Sequence, residues 1–269
     1  MNAVKLALSL AVLTVGTSAC GGSSRHADGV RSNARPLKVW EAATPRLKVR
    51  RYDTSGTYPQ VRGGRVDLMA VNSALRRAVL RAQQRYARDA RRELAEVPSP
   101  KEYRGVYQTR PKARLMSAST VVVSALVPVL ELYPGGNDGG TWLSVTVRVP
   151  SGAPVGLRDL FAKPLQGLSV LAKAVKNEVM SGNECVRQSF RNALVPANRA
   201  DMAHGFDPTA SNYRYFALTA SGLAIGLPLG QVGAPPCNRV ETTVPYDVVR
   251  PYLSRLGEEL VAGVRRPRR

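Results

Sequence analysis

The chain has 269 residues and a formal net charge of +20 at pH 7, from 39 lysines and arginines against 19 aspartates and glutamates. It has only two histidines and three cysteines and no CxxC pair, so it offers no zinc site of the common cysteine–histidine type; we expect no metal and no cofactor. So positive a chain indicates nucleic acid as a partner if it stays inside the cell. Outside the membrane the available polyanions are lipid headgroups and acidic wall polymers.

The N-terminal segment, MNAVKLALSLAVLTVGTSAC, has the layout of an export signal. Lys5 supplies one positive charge, residues 6–15 are an apolar run, and the small residues 16–19 precede Cys20. Such a run is too short to cross a bilayer as a helix, which takes about 20 residues. The glycines and polar residues that follow would end a buried helix at once. Residues 1–19 are therefore predicted to be a signal peptide.

Cys20 allows two kinds of processing. A bacterial lipoprotein signal ends in small residues followed by the cysteine that is acylated, and a Gly-Gly-Ser-Ser linker follows Cys20 here. Thr17 stands where such signals most often carry leucine, so ordinary cleavage after Ala19 stays open. We favour lipidation, since two acyl chains give a stable attachment. Lipidation predicts an extracytoplasmic protein anchored to the outer face of the cell membrane. Removal of the signal peptide with Lys5 leaves a net charge of about +19.

Three segments follow the signal peptide. Residues 20–45, rich in Gly, Ser, Arg, Ala and Pro without periodicity, are predicted to be a flexible basic tether. Residues 46–262 are the predicted domain, and residues 263–269 are a basic tail. Tether and tail would hold the protein against anionic lipid headgroups or an anionic envelope polymer. A protein partner is a further expectation, and a specific nucleic acid is not expected.

Within the domain, LKVRRY is predicted to be a strand and TYPQVRGG a turn. A long helix follows over VDLMAVNSALRRAVLRAQQRYARDARRELAEV and ends before Pro98. Its apolar positions recur at helical spacing on one face: Val71, Leu75, Val79, Ala82, Tyr86 and Leu94.

Five arginines recur every three or four residues on the predicted opposite face of this helix. We call them the arginine series: Arg77, Arg81, Arg85, Arg88 and Arg92. The ordinary interpretation is a solvated outer face. The functional interpretation is an anion-binding stripe, because like charges four residues apart slightly destabilise a helix and so call for a reason. The sequence leaves both interpretations open.

After Pro100 the pattern changes to alternating or continuous apolar runs. These predict strands in YRGVYQT, RLMSASTVVVSALVPVLELY and TWLSVTVRVP, with a hairpin tip at PGGNDGG. A helix over QGLSVLAKAVKNEVMSG, a loop-rich stretch with Cys185 and His204, strands in YRYFALTASGLAIGLPLG and RVETTVPY, and a helix over DVVRPYLSRLGEELVAGV complete the chain. This order predicts a single α+β domain with a mainly antiparallel sheet.

Cys185 and Cys237 remain as a pair once Cys20 is set aside. In an oxidising compartment they are predicted to form one disulfide that closes a loop of about 50 residues. Such a cross-link would stabilise the domain by about 3–4 kcal/mol in the chain-entropy model. Two unpaired buried thiols are the alternative.

Several short stretches, in this order and spacing, resemble one bacterial family. They are TYPQVRGG, AVNSALR, TVRVPSGAPVGLRDLF, YFALTASGLAIGL, GQVGAPPC and TTVPYDVVRPYL. The resemblance covers residues 52–262 and is to the RsiV-type extracytoplasmic domain family, which includes a lysozyme-sensing anti-sigma factor and a secreted mycobacterial antigen. It implies an α+β fold with helices packed on a curved antiparallel sheet, and a role in sensing or binding.

The sequence departs from this family in two places. Only a few residues precede the apolar run, so we expect no cytoplasmic segment for a sigma factor. Many members carry Gly-Gly-Ala-His in the central hairpin, whereas residues 135–138 are Gly-Gly-Asn-Asp here. Lysozyme recognition is also disfavoured, because animal lysozymes are basic and two strongly positive proteins repel each other.

Catalytic motifs are absent from the sequence. It has no GxSxG, HExxH or phosphate-binding Walker loop. His204, between Asp201 and Asp207, is the one candidate base, although a lone histidine among acids is more often a surface residue. The sequence therefore predicts a non-catalytic binding or sensing module for an anionic envelope component. An esterase-like hydrolase that uses His204 is the alternative, and a structural lipoprotein without a discrete ligand is the third possibility.

Overall fold

The computed structural model describes residues 37–47, 52–63, 67–96, 107–132, 138–193, 196–228, 230–232, 237 and 239–265. The predicted signal peptide and Cys20 lie outside these residues. The described part is α+β, as predicted, and belongs to one compact unit. Its strands are β1 (Lys38–Ala43), β2 (Tyr52–Thr54), β3 (Thr57–Arg62), β4 (Tyr107–Pro111), β5 (Leu115–Ala118), β6 (Val122–Leu132), β7 (Asp138–Arg148), β8 (Phe216–Leu218), β9 (Gly222–Leu227) and β10 (Val240–Pro245). Its helices are α1 (Met69–Glu96), α2 (Pro164–Gly182), α3 (Glu184–Asn192), α4 (Pro196–His204), α5 (Tyr246–Val249) and α6 (Arg255–Arg265), with 3₁₀ turns at Leu157–Leu160 and Arg250–Tyr252.

The strands form three sheets in which most pairings are antiparallel. β1 pairs with β3, and β10, β9 and β8 lie side by side in another sheet. The largest sheet has the order β2-β4-β6-β5, and β7 joins it by pairing with β6. β6 and β7 pair from Val122↔Arg148 to Leu132↔Asp138. Their antiparallel register agrees with the predicted hairpin. Of its predicted tip, residues 134–140, the last three belong to β7, and residues 134–137 lie outside the described part.

β6 is the centre of the fold because both of its faces are covered. Val123, Ala125 and Val127 pack in the clusters that contain α1, whereas Leu126 packs with residues of β8 and β9 on the other face. Burial on both faces explains why the sequence reads as a continuous apolar run. The one polar residue inside this run, Ser124, accepts a hydrogen bond from the Leu218 backbone N–H at 2.9 Å and so joins β6 to β8.

α1 packs on the sheet through the predicted apolar face. Val71, Leu75 and Val79 are at most 2% exposed, and Ala82 is also buried. Tyr86 is half-buried and packs against the same clusters. The long helix is therefore held by its apolar stripe, as its periodicity predicts.

Asn72 fixes the position of α1 against β3. Its side chain accepts a hydrogen bond from the Val61 N–H at 2.9 Å and donates one to the Val61 carbonyl at 2.8 Å. The Asn72 side-chain amide thus makes the two backbone hydrogen bonds to Val61 that a neighbouring strand would make, and Val61 is only 1% exposed. The stretches AVNSALR and TYPQV contribute the two halves of this contact, so both have a structural role.

The second core lies between the helices after β7 and the sheet β8–β10. Leu168, Leu171, Val175 and Val179 of α2 are buried in it, on the face that the sequence predicts. Tyr246, which is fully buried, donates a hydrogen bond to the Thr219 carbonyl at 2.8 Å. This bond ties the start of α5 to the turn between β8 and β9.

The predicted disulfide is present. Cys185 of α3 and Cys237 are bonded, with their Cα atoms 5.4 Å apart and 52 positions apart in sequence. The link fastens α3 to the segment that leads into β10. Its role here is structural.

Two segments predicted to be irregular are strands. The proline and glycines of TYPQVRGG predict a turn, yet Thr57–Arg62 is β3. Among the described strands, β1 alone pairs with β3, and an edge strand tolerates Pro59. Lys38–Ala43, placed in the predicted tether, is β1; only Ala42 in it is buried, so it carries no alternating signal.

Two helical predictions also need correction. The stretch expected to be loop-rich contains α3 and α4; α3 begins after Asn183, whose side chain accepts from the Val186 N–H at 3.0 Å. The final helix is divided into α5, a 3₁₀ turn and α6. Pro251 cannot donate a helical hydrogen bond, and Ser254 restarts the helix by accepting from the Gly257 N–H at 3.0 Å. α6 then runs to Arg265, past the predicted end of the domain at residue 262.

Candidate anion-binding site

Three members of the arginine series lie around one cavity. Arg81, Arg85 and Arg88 line a volume of about 580 Å³ between α1, β7 and the start of β8, and Arg214, just before β8, lines it as well. We call this the arginine cavity. Its other lining residues are Ala78, Ala82, Gln84, Leu143, Ser144 and Tyr215. Four arginines from two separate parts of the chain therefore line one space.

The position of this cavity corrects the simple division of α1 into two opposite faces. At 3.6 residues per turn, the series spreads over an arc of about 80°, with Arg77 at one edge and Arg85 at the other. Arg85 lies next to Ala78 in this projection, at the border of the packed face. In the described structure Arg77 and Arg92 line neither this cavity nor the one described below, and Arg92 instead pairs with Asp89 at 3.6 Å.

Small residues of α1 form part of the cavity wall. Ala78 and Ala82 both line the cavity. Leu143 and Ser144 of β7 form the facing wall. Ser144 accepts from the Phe216 N–H at 3.2 Å and donates to the Phe216 carbonyl at 2.6 Å, which fixes β7 relative to β8.

Two of the arginines stack on tyrosines. The Arg85 guanidinium carbon lies 5.3 Å from the centre of the Tyr86 ring, and that of Arg214 lies 4.8 Å from the centre of the Tyr215 ring. Cation–π contacts hold a guanidinium in place without neutralising it. Burial lowers the pKa of Arg85, but Tyr215, Tyr86 and Asp89 together outweigh it and raise the pKa above the ordinary value. Arg85 therefore keeps its charge.

The aromatic partner of Arg85 is itself anchored. Tyr86 donates a hydrogen bond to the Trp142 carbonyl at 3.4 Å. Burial raises the pKa of Tyr86 well above its usual value, with smaller contributions from Tyr215 and Glu131. Its phenol is thus neutral at physiological pH and leaves the positive charge of the site uncompensated.

The two carboxylates near the site are outnumbered by its four arginines. Asp89, one turn after Arg85, pairs with Arg92 at 3.6 Å and also raises the pKa of Arg85. Asp159 accepts a hydrogen bond from the Gly156 N–H at 2.8 Å. The site is therefore electrostatically suited to an external anion.

A second cavity adjoins the first. It has a volume of about 480 Å³ and shares Ala78, Arg81, Ser144 and Arg214 with the arginine cavity. We call it the apolar cavity, because most of its remaining lining is apolar. The remaining residues are Val145, Thr146, Pro154, Val155, Gly156, Leu157, Arg158, Asp159, Ala210 and Phe216.

The sequence alone did not identify Arg214, Tyr215 or Ser144 as site residues. The alternation of arginine and aromatic residues in YRYF was the available signal, since an arginine beside an aromatic ring can form a cation–π contact. This local pattern does not reveal which helix the YRYF segment packs beside. Ser144 is one of many serines in predicted strands and carries no distinguishing pattern.

His204 ends α4 and is exposed. Its Nδ1 lies 2.9 Å from Oδ2 of Asp207. The Asn212 amide donates to the carbonyls of His204 and Asp207 at 2.8 and 3.2 Å, which closes the end of the helix. In the part of the chain that is described, no three His, Cys, Asp or Glu side chains are grouped so as to hold a metal ion. None of the described helices has the length and hydrophobicity needed to cross a membrane.

Comparison with known proteins places the fold. A crystal structure of a DUF3298 family member from Bacteroides fragilis matches with a TM-score of 0.50 and 12% identity, covering 86% of this chain and 97% of that one. A DUF3298 family protein from Pseudomonas aeruginosa matches with a TM-score of 0.51 and 12% identity, covering 83% and 97%. This chain shares their fold. No family model and no curated protein matches the sequence.

Proposed function

We propose that the chain is an exported lipoprotein whose domain, of the DUF3298 and RsiV type, binds an anionic component of the cell envelope without catalysis. The observation that carries the proposal is the meeting of Arg81, Arg85, Arg88 and Arg214 at one cavity. Arg81, Arg88 and Arg214 are exposed and Arg85 is half-buried. What distinguishes them from an ordinary solvated helix face is that arginines from two separate segments line one concave space.

Arginine suits this role because of its geometry. A guanidinium group presents several N–H donors in one plane and makes two parallel hydrogen bonds to a phosphate or carboxylate. Stacking on Tyr86 and Tyr215 orients two of the four groups before a ligand arrives. Less rotamer freedom is then lost on binding.

Lipidation at Cys20 is a separate part of the proposal. It rests on the sequence alone, and it would keep the arginine cavity close to the outer face of the cell membrane. The disulfide agrees with an oxidising compartment. Replacing Cys20 with serine should release the protein from membranes and remove the mass of the acyl chains; unchanged membrane association and mass would refute lipidation.

The binding proposal is tested with the mature full-length protein and a phosphodiester wall polymer, at low and moderate salt. Arg81→Glu combined with Arg85→Glu should weaken binding at least tenfold, since each charge-assisted hydrogen bond is worth about 1.5–3 kcal/mol. The matched control is Arg77→Glu combined with Arg91→Glu. It makes the same charge change on exposed positions of α1 that line neither cavity.

The control separates a site from a general charge effect. If both double variants lose affinity equally, the net charge alone attracts polyanions and the proposed site is wrong. Binding by the unaltered protein that disappears at moderate salt would refute the site in the same way. Thermal unfolding of both variants should stay near that of the unaltered protein, because these side chains lie outside the core.

A hydrolase is the second candidate, and the 2.9 Å contact between His204 and Asp207 is what favours it. An aspartate in this position can orient a histidine that acts as a base. An ester substrate screen with the unaltered protein and with His204→Ala decides the matter. Activity that disappears in the variant would support a hydrolase, and activity that persists would exclude His204 as its base.

A further inference from the structure

The apolar cavity gives the proposed site a second chemical character. Val155, Leu157 and Phe216 are each at most 5% exposed and line it, together with Pro154 and Ala210. The arginine cavity has four arginines around it, and two of them, Arg81 and Arg214, also line the apolar cavity beside Arg158 and Asp159. The combined space is therefore cationic over much of its lining, and the apolar cavity adds a buried hydrocarbon wall.

The two cavities are neighbours that share four lining residues. Arg81 and Arg214 border both, and Ala78 and Ser144 lie at the same junction. Ala78 is half-buried and has only a methyl group, so it leaves the junction open. A single ligand can thus contact the arginines and the apolar wall at once. Each volume alone, about 580 and 480 Å³, lies within the usual range for small-molecule sites.

We propose that the combined cavity binds an anionic amphiphile, a lipid with a phosphate headgroup held by the arginines and part of its hydrocarbon chain held in the apolar cavity. This inference rests on the proposed function and names its ligand class. A hydrophilic polymer would use only the arginine cavity and would leave the apolar wall against water. An amphiphile satisfies both ends, since the charge is paired and the apolar wall is removed from water.

The polar side chains of the apolar cavity are either exposed or already hydrogen-bonded. Arg158 and Asp159 also line it and are exposed, and the Asp159 carboxylate is occupied by the Gly156 N–H at 2.8 Å. Ser144 has its hydroxyl bonded to Phe216 backbone groups, so it lines the junction without presenting an unpaired hydroxyl to hydrocarbon. The headgroup is assigned to the arginine cavity, which Arg81, Arg85, Arg88 and Arg214 line.

The test uses alkyl phosphates with the mature full-length protein, each below its micelle concentration. Methyl, hexyl, octyl and decyl phosphate are titrated by calorimetry, with octyl glucoside as the uncharged probe. Burial of each methylene group is worth about 0.8 kcal/mol, so two further carbons should tighten binding about fifteenfold while the chain still enters the apolar cavity. Octyl glucoside should bind far more weakly than octyl phosphate.

Two variants locate the chain. Ala210→Leu fills the apolar cavity and should remove the dependence on chain length while leaving methyl phosphate binding unchanged. Ala78→Leu, in the middle of α1 where leucine is a good helix former, should block the junction and have the same effect on long chains. The titration of the unaltered protein with phosphates of increasing chain length remains a test even if one of the variants does not fold.

The outcomes separate the two proposals. Equal affinity for methyl and decyl phosphate, lost in Arg81→Glu with Arg85→Glu, would overturn the amphiphile and keep the anion site. Length dependence that persists in both Ala210→Leu and Ala78→Leu would also overturn it, because the chain would then lie elsewhere. Binding of no alkyl phosphate would overturn the amphiphile, whereas the proposed function is overturned only if the wall polymer also fails to distinguish the two arginine double variants.

Discussion

Replacing Asn72 with alanine should destabilise the domain by about 2–3 kcal/mol. The substitution removes two hydrogen bonds, at 2.9 and 2.8 Å, and leaves the N–H and carbonyl of a buried Val61 without this partner. A buried group left unsatisfied costs about 1–3 kcal/mol. Because alanine is a better helix former than asparagine, the substitution also stabilises α1 by roughly 0.5 kcal/mol and offsets part of this loss.

The measurement is thermal and urea unfolding followed by circular dichroism. For a domain of this size each kcal/mol corresponds to about 2–4 °C, so the midpoint should fall by roughly 5–10 °C. Asn177→Ala is the matched control, since Asn177 is an exposed residue of α2. That variant should be unchanged or slightly more stable.

The result decides whether the Asn72 contact has the role described. A loss below about 0.5 kcal/mol, or a loss equal to that of Asn177→Ala, would show that α1 is held against β3 by apolar packing alone. A loss of the expected size in Asn72→Ala only would give AVNSALR a structural explanation. The stretch could then resemble other proteins without a shared ligand.

Three further predictions concern the disulfide, the buried tyrosines and a strand glycine. Replacing Cys185 and Cys237 together with serine should cost about 3–4 kcal/mol in urea unfolding, and thiol titration of the denatured, unreduced domain should detect neither cysteine; two free thiols there would contradict the bond. Burial raises the pKa of Tyr52 to about 12, so the stability from its neutral phenol is complete below pH 10 and is lost as the pH rises through 12. Ultraviolet titration should detect late-ionising tyrosines, with one fewer in Tyr52→Phe. Ionisation of Tyr52 near pH 10 would contradict its burial. A Cβ atom at Gly226 would lie 2.6 Å from the Trp142 ring, so Gly226→Ala should destabilise the domain by about 1–3 kcal/mol in thermal unfolding. The control Gly182→Ala should leave the stability unchanged, because a Cβ atom there meets nothing within 4 Å. Equal unfolding midpoints for the two variants would show that the Trp142 ring moves aside.

The strongest sequence signals gave correct elements. The spacing of Val71, Leu75 and Val79 predicted α1, and the same argument located the buried face of α2. The continuous apolar run around Val123 and Leu126 predicted a strand. These patterns succeed because burial on one side of a helix, or inside a sheet, requires a fixed period of apolar residues along the chain.

Weak local signals failed where distant partners decided the structure. β1 has a single buried residue and is a strand because β3 pairs with it. β3 contains Pro59, which locally favours a turn, but an edge position accepts it. The final helix is interrupted because Pro251 stops it and Ser254 starts it again, a combination that apolar periodicity does not reveal.

The candidate site divides in the same way. Sequence spacing alone identified Arg81, Arg85 and Arg88 as a set, because residues three and four apart lie together on a helix. Only the tertiary structure brought Arg214 beside them, more than a hundred positions later in the chain, and only it showed which arginines of the series border a cavity. Helical periodicity acts over a few residues and can be read from the chain. A cavity depends on which surfaces distant segments leave uncovered when they pack, and that is decided by the whole fold.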